Sequence, residues 1–209
     1  MDKIKPNNPL FNALSIALEI WIKSKCESID NLQIRIYGST MGIFKGRLSK
    51  VELKAKKVNF KNINLNHINL SSGPIQVNIN LKGIHKELIS KGFYLKGEVF
   101  LDEKDLNSLI QDKSWNWIKG WFSEKILYNK KPNYISIEKD QFKMISETDR
   151  FREKVAETLI ISEYENSILI YNNNLGKKAL FPMDSSIKIK KCTISQNNLN
   201  ILFESYVKV

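Results

Sequence analysis

The chain has 209 residues, a formal net charge of +11 and an apolar fraction of 42%. That apolar share can bury a sizeable core and excludes a chain disordered by composition. Two cysteines, Cys26 and Cys192, are too few for a disulfide framework, and the excess of 33 Lys and Arg over 22 acids favours anionic partners without choosing among phospholipid headgroups, nucleic acid and acidic proteins.

Lys3 and Lys5 precede an apolar stretch over residues 10–22. No small-residue cleavage site follows; Lys23, Ser24, Lys25, Cys26 and Glu27 come next. No signal peptide is expected, and a cytoplasmic or peripheral-membrane location is, with export left open. As a helix the stretch reaches about 20 Å, short of the ~30 Å hydrocarbon core, so no membrane span is expected. The spacing of Leu10, Leu14, Ala17, Leu18, Trp21 and Ile22 predicts an amphipathic helix over residues 8–28, with Asn8 as N-cap and Pro9 in the first turn. Its apolar face either docks onto a sheet or lies in a bilayer interface.

From residue 31 the period changes to two. Leu32, Ile34 and Ile36 alternate with polar neighbours, and residues 38–46 form a glycine-punctuated connection. Val51, Leu53 and Ala55 alternate with Lys50, Glu52, Lys54 and Lys56. The phase then slips at Lys56-Lys57 before Val58 and Phe60, which predicts a β-bulge that keeps both apolar sets on one face. Ile63, Leu65, Ile68 and Leu70 slip again at His67, and Ile75, Val77, Ile79 and Leu81 follow without a break. Phe93, Leu95, Val99 and Leu101 end a strand series over residues 31–101, with a charged segment at 82–91 inside it. Repeated apolar-in, polar-out alternation is the pattern of an antiparallel sheet with one solvated face.

Two short helices are predicted over residues 102–128. Asp102 caps the first, with Asp105 at the third position and Leu106, Leu109 and Ile110 facing inward. Ser114 is expected to cap the second, which carries Trp115, Trp117, Ile118, Trp121 and Phe122. Further strands are expected within 134–209, at 134–137, 142–145, 155–161, 168–171, 187–194 and 199–207.

This order of pieces resembles the LmeA-like phospholipid-binding family of bacteria and cyanobacteria. The resemblance runs from about residue 10 to the end of the chain. It rests on the N-terminal helix, on Gly46-Arg47-Leu48 leading into a basic strand, and on Asp105-Leu106-Asn107 where a strand gives way to a helix. It implies an α+β, β-rich single domain (1–209) in which a long curved antiparallel sheet wraps the N-terminal helix, similar to the tubular lipid-binding proteins. It also implies an apolar groove for lipid.

The residues themselves point to no enzyme. His67 and His85 have no ligand cluster beside them, no phosphate-cradling glycine loop is present, and no catalytic residue, metal site or cofactor is expected. Three tryptophans within seven positions, beside Lys113, Lys119 and Lys125, suit either core packing or the water–hydrocarbon boundary. Candidate lipid contacts are therefore Leu14, Leu18, Trp21, Ile22, Trp117, Trp121 and Phe122. Candidate contacts to an anionic surface are Lys45, Arg47, Lys50, Lys54, Lys56 and Lys57, although lysine on an exposed strand also blocks edge-to-edge aggregation. The expected partner is a phospholipid or membrane surface. A protein of a membrane complex is a second candidate and nucleic acid a weaker one, since the basic strand carries no interleaved aromatics for stacking.

Overall fold

Helix α1 (Pro9–Lys23) opens the described part of the computed structural model, which comprises residues 9–78, 89–147 and 154–208. The expectations for Lys3, Lys5, Asn8, Ile79, Leu81 and most of the charged segment fall outside those residues. Phe11, Leu14 and Leu18 recur at helical spacing and are buried. The helix stops short of the predicted residue 28, because the Glu27 N–H already donates to the Asn59 carbonyl, 2.9 Å away, and commits the backbone to a strand.

The chain continues through β1 (Ser28–Tyr37), a short helix α2 (Thr40–Phe44) inside the glycine-rich connection, β2 (Arg47–Leu48), β3 (Lys50–Phe60) and β4 (Ile63–Ser72). β5 (Ile75–Gln76) is shorter than the alternation suggested; after it, among the described residues, Val77 makes an isolated bridge to Ile89. Strand β6 (Phe93–Asp102) leads into α3 (Glu103–Gln111), a 3₁₀ turn (Lys113–Trp115) and α4 (Asn116–Lys125). Seven strands complete the chain: β7 (Lys131–Glu138), β8 (Gln141–Glu147), β9 (Lys154–Tyr164), β10 (Ser167–Asn172), β11 (Lys177–Leu180), β12 (Ile187–Ser195) and β13 (Asn198–Val207).

The long antiparallel sheet is present, with strand order β1-β3-β4-β6-β13-β12. A second sheet stands beside it, which strand patterns alone had merged with the first: β11-β10-β9-β8-β7. Strands β2 and β5 form a small third ladder, and no barrel closes among the described residues. The two large sheets share a core. Leu101, Ile189, Cys192 and Leu199 of the first pack in one cluster with Ile135, Phe142, Met144, Leu159 and Ile170 of the second. Four hairpins turn on two left-handed residues, at Lys61-Asn62, Lys139-Asp140, Glu165-Asn166 and Gln196-Asn197. Asn and Asp tolerate that conformation, so this Gly-poor chain still makes tight turns.

The predicted bulge sits where the phase slips. Lys57 is left-handed (φ 47°), and β3 advances from Lys56 to Asn59 while β1 moves only from Asp30 to Ser28. Val51, Leu53, Ala55 and Val58 consequently all face the core.

Helix α3 starts on the predicted capping box. The Asp105 N–H donates to Asp102 Oδ1 at 2.8 Å, and the Asp102 N–H donates to Asp105 Oδ2 at 3.3 Å. The second cap differs from expectation: Asp112, not Ser114, caps the 3₁₀ turn by accepting from the Ser114 N–H, while the Ser114 hydroxyl accepts from Asn62 Nδ2. Ser114 is thus used to hold the β3–β4 turn.

One face of α3 replaces a missing neighbour along the edge strand β7. Glu103 accepts from the Ile137 N–H, Asn107 engages Ile135, and Gln111 donates to the Asn133 carbonyl at 2.9 Å. Four residues of helix rise about 6 Å and two residues of strand about 6.8 Å, so the steps match over two repeats. The unpaired edge of β7 is thereby covered.

Candidate lipid-binding surface

The residues singled out in the sequence fall into separate places. Leu14 and Leu18 are buried with Ile43, Leu48, Val51, Val77 and Phe93, so the protein's own side chains surround them. Trp21 is half-buried at the border of that cluster, and Ile22 borders a second one built on Leu53, Ala55 and Val58. Phe122 is buried in the core shared by the two large sheets, Trp121 is half-buried against it, and Trp117 is 45% exposed. Trp117 and Trp121 stand one turn apart on α4 but do not stack on each other. Each instead meets Phe181, at 5.7 and 5.3 Å between ring centroids. Phe181 follows β11 and is 60 residues away in sequence, so no local pattern could place it.

Between these tryptophans lies an apolar strip that the sequence did not single out. Strand pairing places Ile68, Val99 and Ile201 on one rung across β4, β6 and β13, and Leu70, Gly97 and Phe203 on the next. Leu95 continues the same face towards Val207. These apolar side chains are half-buried, in contrast to the buried ones at either end of the sheet. Ile68 and Leu70 pack against the cluster bordered by Ile22, Leu95 against the one bordered by Trp21, and Val99, Ile201 and Phe203 against the one bordered by Trp121 and Phe181. Leu65 packs against two of the three. The Phe203 ring lies over Gly97 so closely that a Cβ there would come within 2.2 Å of it. Glycine is what lets this aromatic ring lie against the sheet.

The opposite face of the sheet carries the basic residues, with Glu52 among them on β3 itself and Glu98 and Glu204 added from β6 and β13. Lys50 is bonded to Glu52 at 2.6 Å, the Tyr37 hydroxyl also donates to Glu52, and Lys96 pairs with Glu204 at 2.9 Å. Hydrogen bonds from Lys50 and then Tyr37 hold the Glu52 carboxyl below its usual range. Lys56 lies opposite Asp30 on β1. Lys45, Arg47, Lys54, Lys56 and Lys57 remain exposed. Arg35, Lys54 and Lys96 share a depression of about 310 Å³ with Glu52 and Glu98, a mixed-charge surface that no single strand could have revealed.

A larger open cleft, about 790 Å³, lies elsewhere. It is lined by Asp102, Glu103, Lys104, Asn107, Gln111 and Tyr134 among others, along the junction of α3 with β7. Glu103 and Tyr134 are hydrogen-bonded there, and the Glu103 carboxyl is held low by Tyr134. An acyl chain in this cleft would have to desolvate carboxylates without compensation, so its chemistry does not suit hydrocarbon. Cys192 is buried and its thiol is pushed up to about 12 by desolvation, which leaves it without nucleophilic character at neutral pH. Among the described residues no group of three or more His, Cys, Asp or Glu side chains could hold a metal, and His67 bonds Asn69 and meets Phe100 edge-on.

No curated protein and no solved structure matches the chain. The match to a family is to LmeA-like phospholipid-binding, over residues 11–145, from α1 into β8. It spans the helix, the basic strand and Asp105-Leu106-Asn107, and stops before the C-terminal strands that the sequence resemblance had included. The chain belongs to the LmeA-like phospholipid-binding family.

Proposed function

We propose that this protein binds phospholipid without catalysis, the acyl chains lying along the strip formed by Ile68, Leu70, Leu95, Val99, Ile201 and Phe203. The carrying observation is that these side chains are half-buried on one continuous sheet face, bordered by Trp21 and Ile22 on one side and Trp121 and Phe181 on the other. Membership of the family supports lipid binding in general. Leu14, Leu18 and Phe122 support the borders from behind, and Trp117 adds a ring at the exposed margin. Covering such a strip with hydrocarbon removes apolar surface from water, at roughly 25 cal/mol per Å². In this reading the long sheet curves about α1, and the whole chain acts as one domain.

Attachment to an anionic membrane surface through Lys45, Arg47, Lys50, Lys54, Lys56 and Lys57 extends the proposal. Each engaged base would add about 1 kcal/mol, with Lys50 least available because Glu52 already holds it. No helix among the described residues is long and apolar enough to cross a membrane, which is consistent with peripheral attachment. Nucleic-acid binding through the same face has less support, because the family is a phospholipid-binding one and the basic strand carries no interleaved aromatics for base stacking. Docking to a membrane-complex protein would show as a stoichiometric partner in a pull-down.

Native mass spectrometry of gently purified protein tests the main reading. A co-purified phospholipid is expected, and its amount should fall in Leu70→Gln/Ile201→Gln. Protein that carries no lipid, and takes none up from vesicles, would sink the proposal; a gel shift at physiological salt would then decide for nucleic acid.

A further inference from the structure

One end of the long sheet carries exposed apolar groups on a rigid mount. Strand pairing places the end of β1, the starts of β3 and β6 and the ends of β4 and β13 together there, with α2 leading out from β1. Ile43 of α2 is completely buried, packed with Leu48, Val77 and Phe11. On either side of it Met41 and Phe44 are 65% and 66% exposed.

Helix α2 is only five residues long, too short to persist unaided. It is fixed by its surroundings. The Ser39 hydroxyl accepts from the Gly42 N–H at 3.0 Å, and the Gly46 N–H closes on the Ile43 carbonyl at 2.8 Å. Gly46 is left-handed (φ 69°) and so close to β5 that a Cβ would lie 2.2 Å from the Val77 carbonyl oxygen. The Val77 N–H in turn donates to the Gly46 carbonyl. Two large apolar side chains are therefore held outward by a built platform.

Their neighbours complete an amphiphilic pattern. Lys45 and Arg47 follow directly and are exposed. Tyr94 and Tyr206, which meet edge-on at 5.1 Å, stand exposed at the same end of β6 and β13. Exposed apolar side chains, bases and tyrosines gathered at one end are the three groups that an anionic bilayer interface accommodates.

We infer that this end is a membrane-docking tip: Met41 and Phe44 insert into the interface of an anionic phospholipid bilayer, and Lys45 and Arg47 meet its phosphates. The inference rests on the lipid-binding reading for its choice of partner. It narrows the basic-face attachment proposed above to Lys45 and Arg47: the protein stands end-on, and the middle of that face, around Lys54 and Lys56, stays off the membrane. Bilayer lipid would then reach the apolar strip from the tip, past Leu95 and Val207.

Co-sedimentation with phosphatidylcholine vesicles, with and without phosphatidylglycerol, tests this. Wild-type protein is expected to pellet with the mixed vesicles. Met41→Ser/Phe44→Ser should pellet about tenfold less or weaker still, as loss of two inserted apolar side chains requires. Lys45→Glu/Arg47→Glu should lose the preference for phosphatidylglycerol, while Lys54→Glu/Lys56→Glu should pellet like wild type. Circular dichroism checks folding, and Phe44→Leu, which keeps the apolar group, should retain pelleting. The tip is overturned if wild type pellets with neither vesicle, if Met41→Ser/Phe44→Ser pellets undiminished, or if Lys54→Glu/Lys56→Glu is the variant that fails. Native mass spectrometry of the same variants reads the strip separately: Met41→Ser/Phe44→Ser that no longer pellets but keeps its lipid supports the tip. Wild type that pellets through the tip yet never holds a lipid overturns the strip alone.

Discussion

Asn107 holds the backbone of Ile135 with both of its polar atoms: Nδ2 donates to the carbonyl at 2.7 Å and Oδ1 accepts the N–H at 2.8 Å. This explains the Asp105-Leu106-Asn107 tripeptide as a junction. Asp105 completes the capping box of α3 by accepting from the Asp102 N–H and also accepts from the Asn66 N–H of β4, Leu106 enters the shared core, and Asn107 fastens the edge of β7. Replacing Asn107 with Ala should cost about 2–3 kcal/mol, since two partly buried backbone groups lose their partner. Asn107→Asp should not rescue it, because it keeps the acceptor and turns a charge on the Ile135 carbonyl. Urea unfolding checks both.

Gly97 and Phe203 provide a second test. Gly97→Ala should force the Phe203 ring off the sheet, with a stability loss of about 1–3 kcal/mol from overpacking. If the strip holds acyl chains, the displaced ring should also reduce the lipid seen by native mass spectrometry. Unchanged thermal stability together with unchanged lipid content would contradict the packing described for this rung.

The aromatic cluster divides by burial. Trp121, which packs against the core and Phe181, should cost about 3 kcal/mol or more when replaced by Ala. Trp117→Ala, at an exposed site, should cost less than about 1 kcal/mol. Equal losses in denaturant titrations would show that the second helix packs by another face.

A buried carboxylate sets an acid limit. Burial tends to raise the Glu157 carboxyl, but bonds from Lys130 at 2.7 Å and from Asn174, together with the Lys130 charge, outweigh it and hold the group below its ordinary value. A folded-state value below the unfolded one contributes stability that is present above the unfolded value, roughly pH 4.3, and lost as pH falls through the folded one. Wild type should therefore weaken below about pH 4.3. Lys130 is partly solvated, so Lys130→Met should cost about 2 kcal/mol at neutral pH, less than for a fully buried pair. That difference should shrink between neutral and acid pH, as Glu157 takes up its proton. Urea midpoints at the two pH values measure it.

The thiols should separate kinetically. Burial and the Glu27 charge raise Cys26, but it is only half-buried, whereas Cys192 is pushed up to about 12 by desolvation. Iodoacetamide at neutral pH is expected to modify Cys26 slowly and Cys192 only after unfolding; peptide mapping by mass spectrometry distinguishes them.

Sequence alone determined whatever depends on neighbours along the chain. The two-residue period exposed the strands, the slip at Lys56-Lys57 located the bulge, and Asp102 with Asp105 marked the start of α3, because backbone geometry and capping act over a few residues. The order of those pieces also carried the family. Tertiary structure decided what depends on which strands become neighbours. It separated β7–β11 into a second sheet, brought Phe181 against both Trp117 and Trp121, and placed Glu98 and Glu204 on the face where sequence showed Glu52 as the one acid opposing the lysines. It also aligned Ile68, Val99 and Ile201 into one rung from strands far apart in the chain. Periodicity assigns a side chain to one face of its strand; long-range pairing decides what stands beside it there.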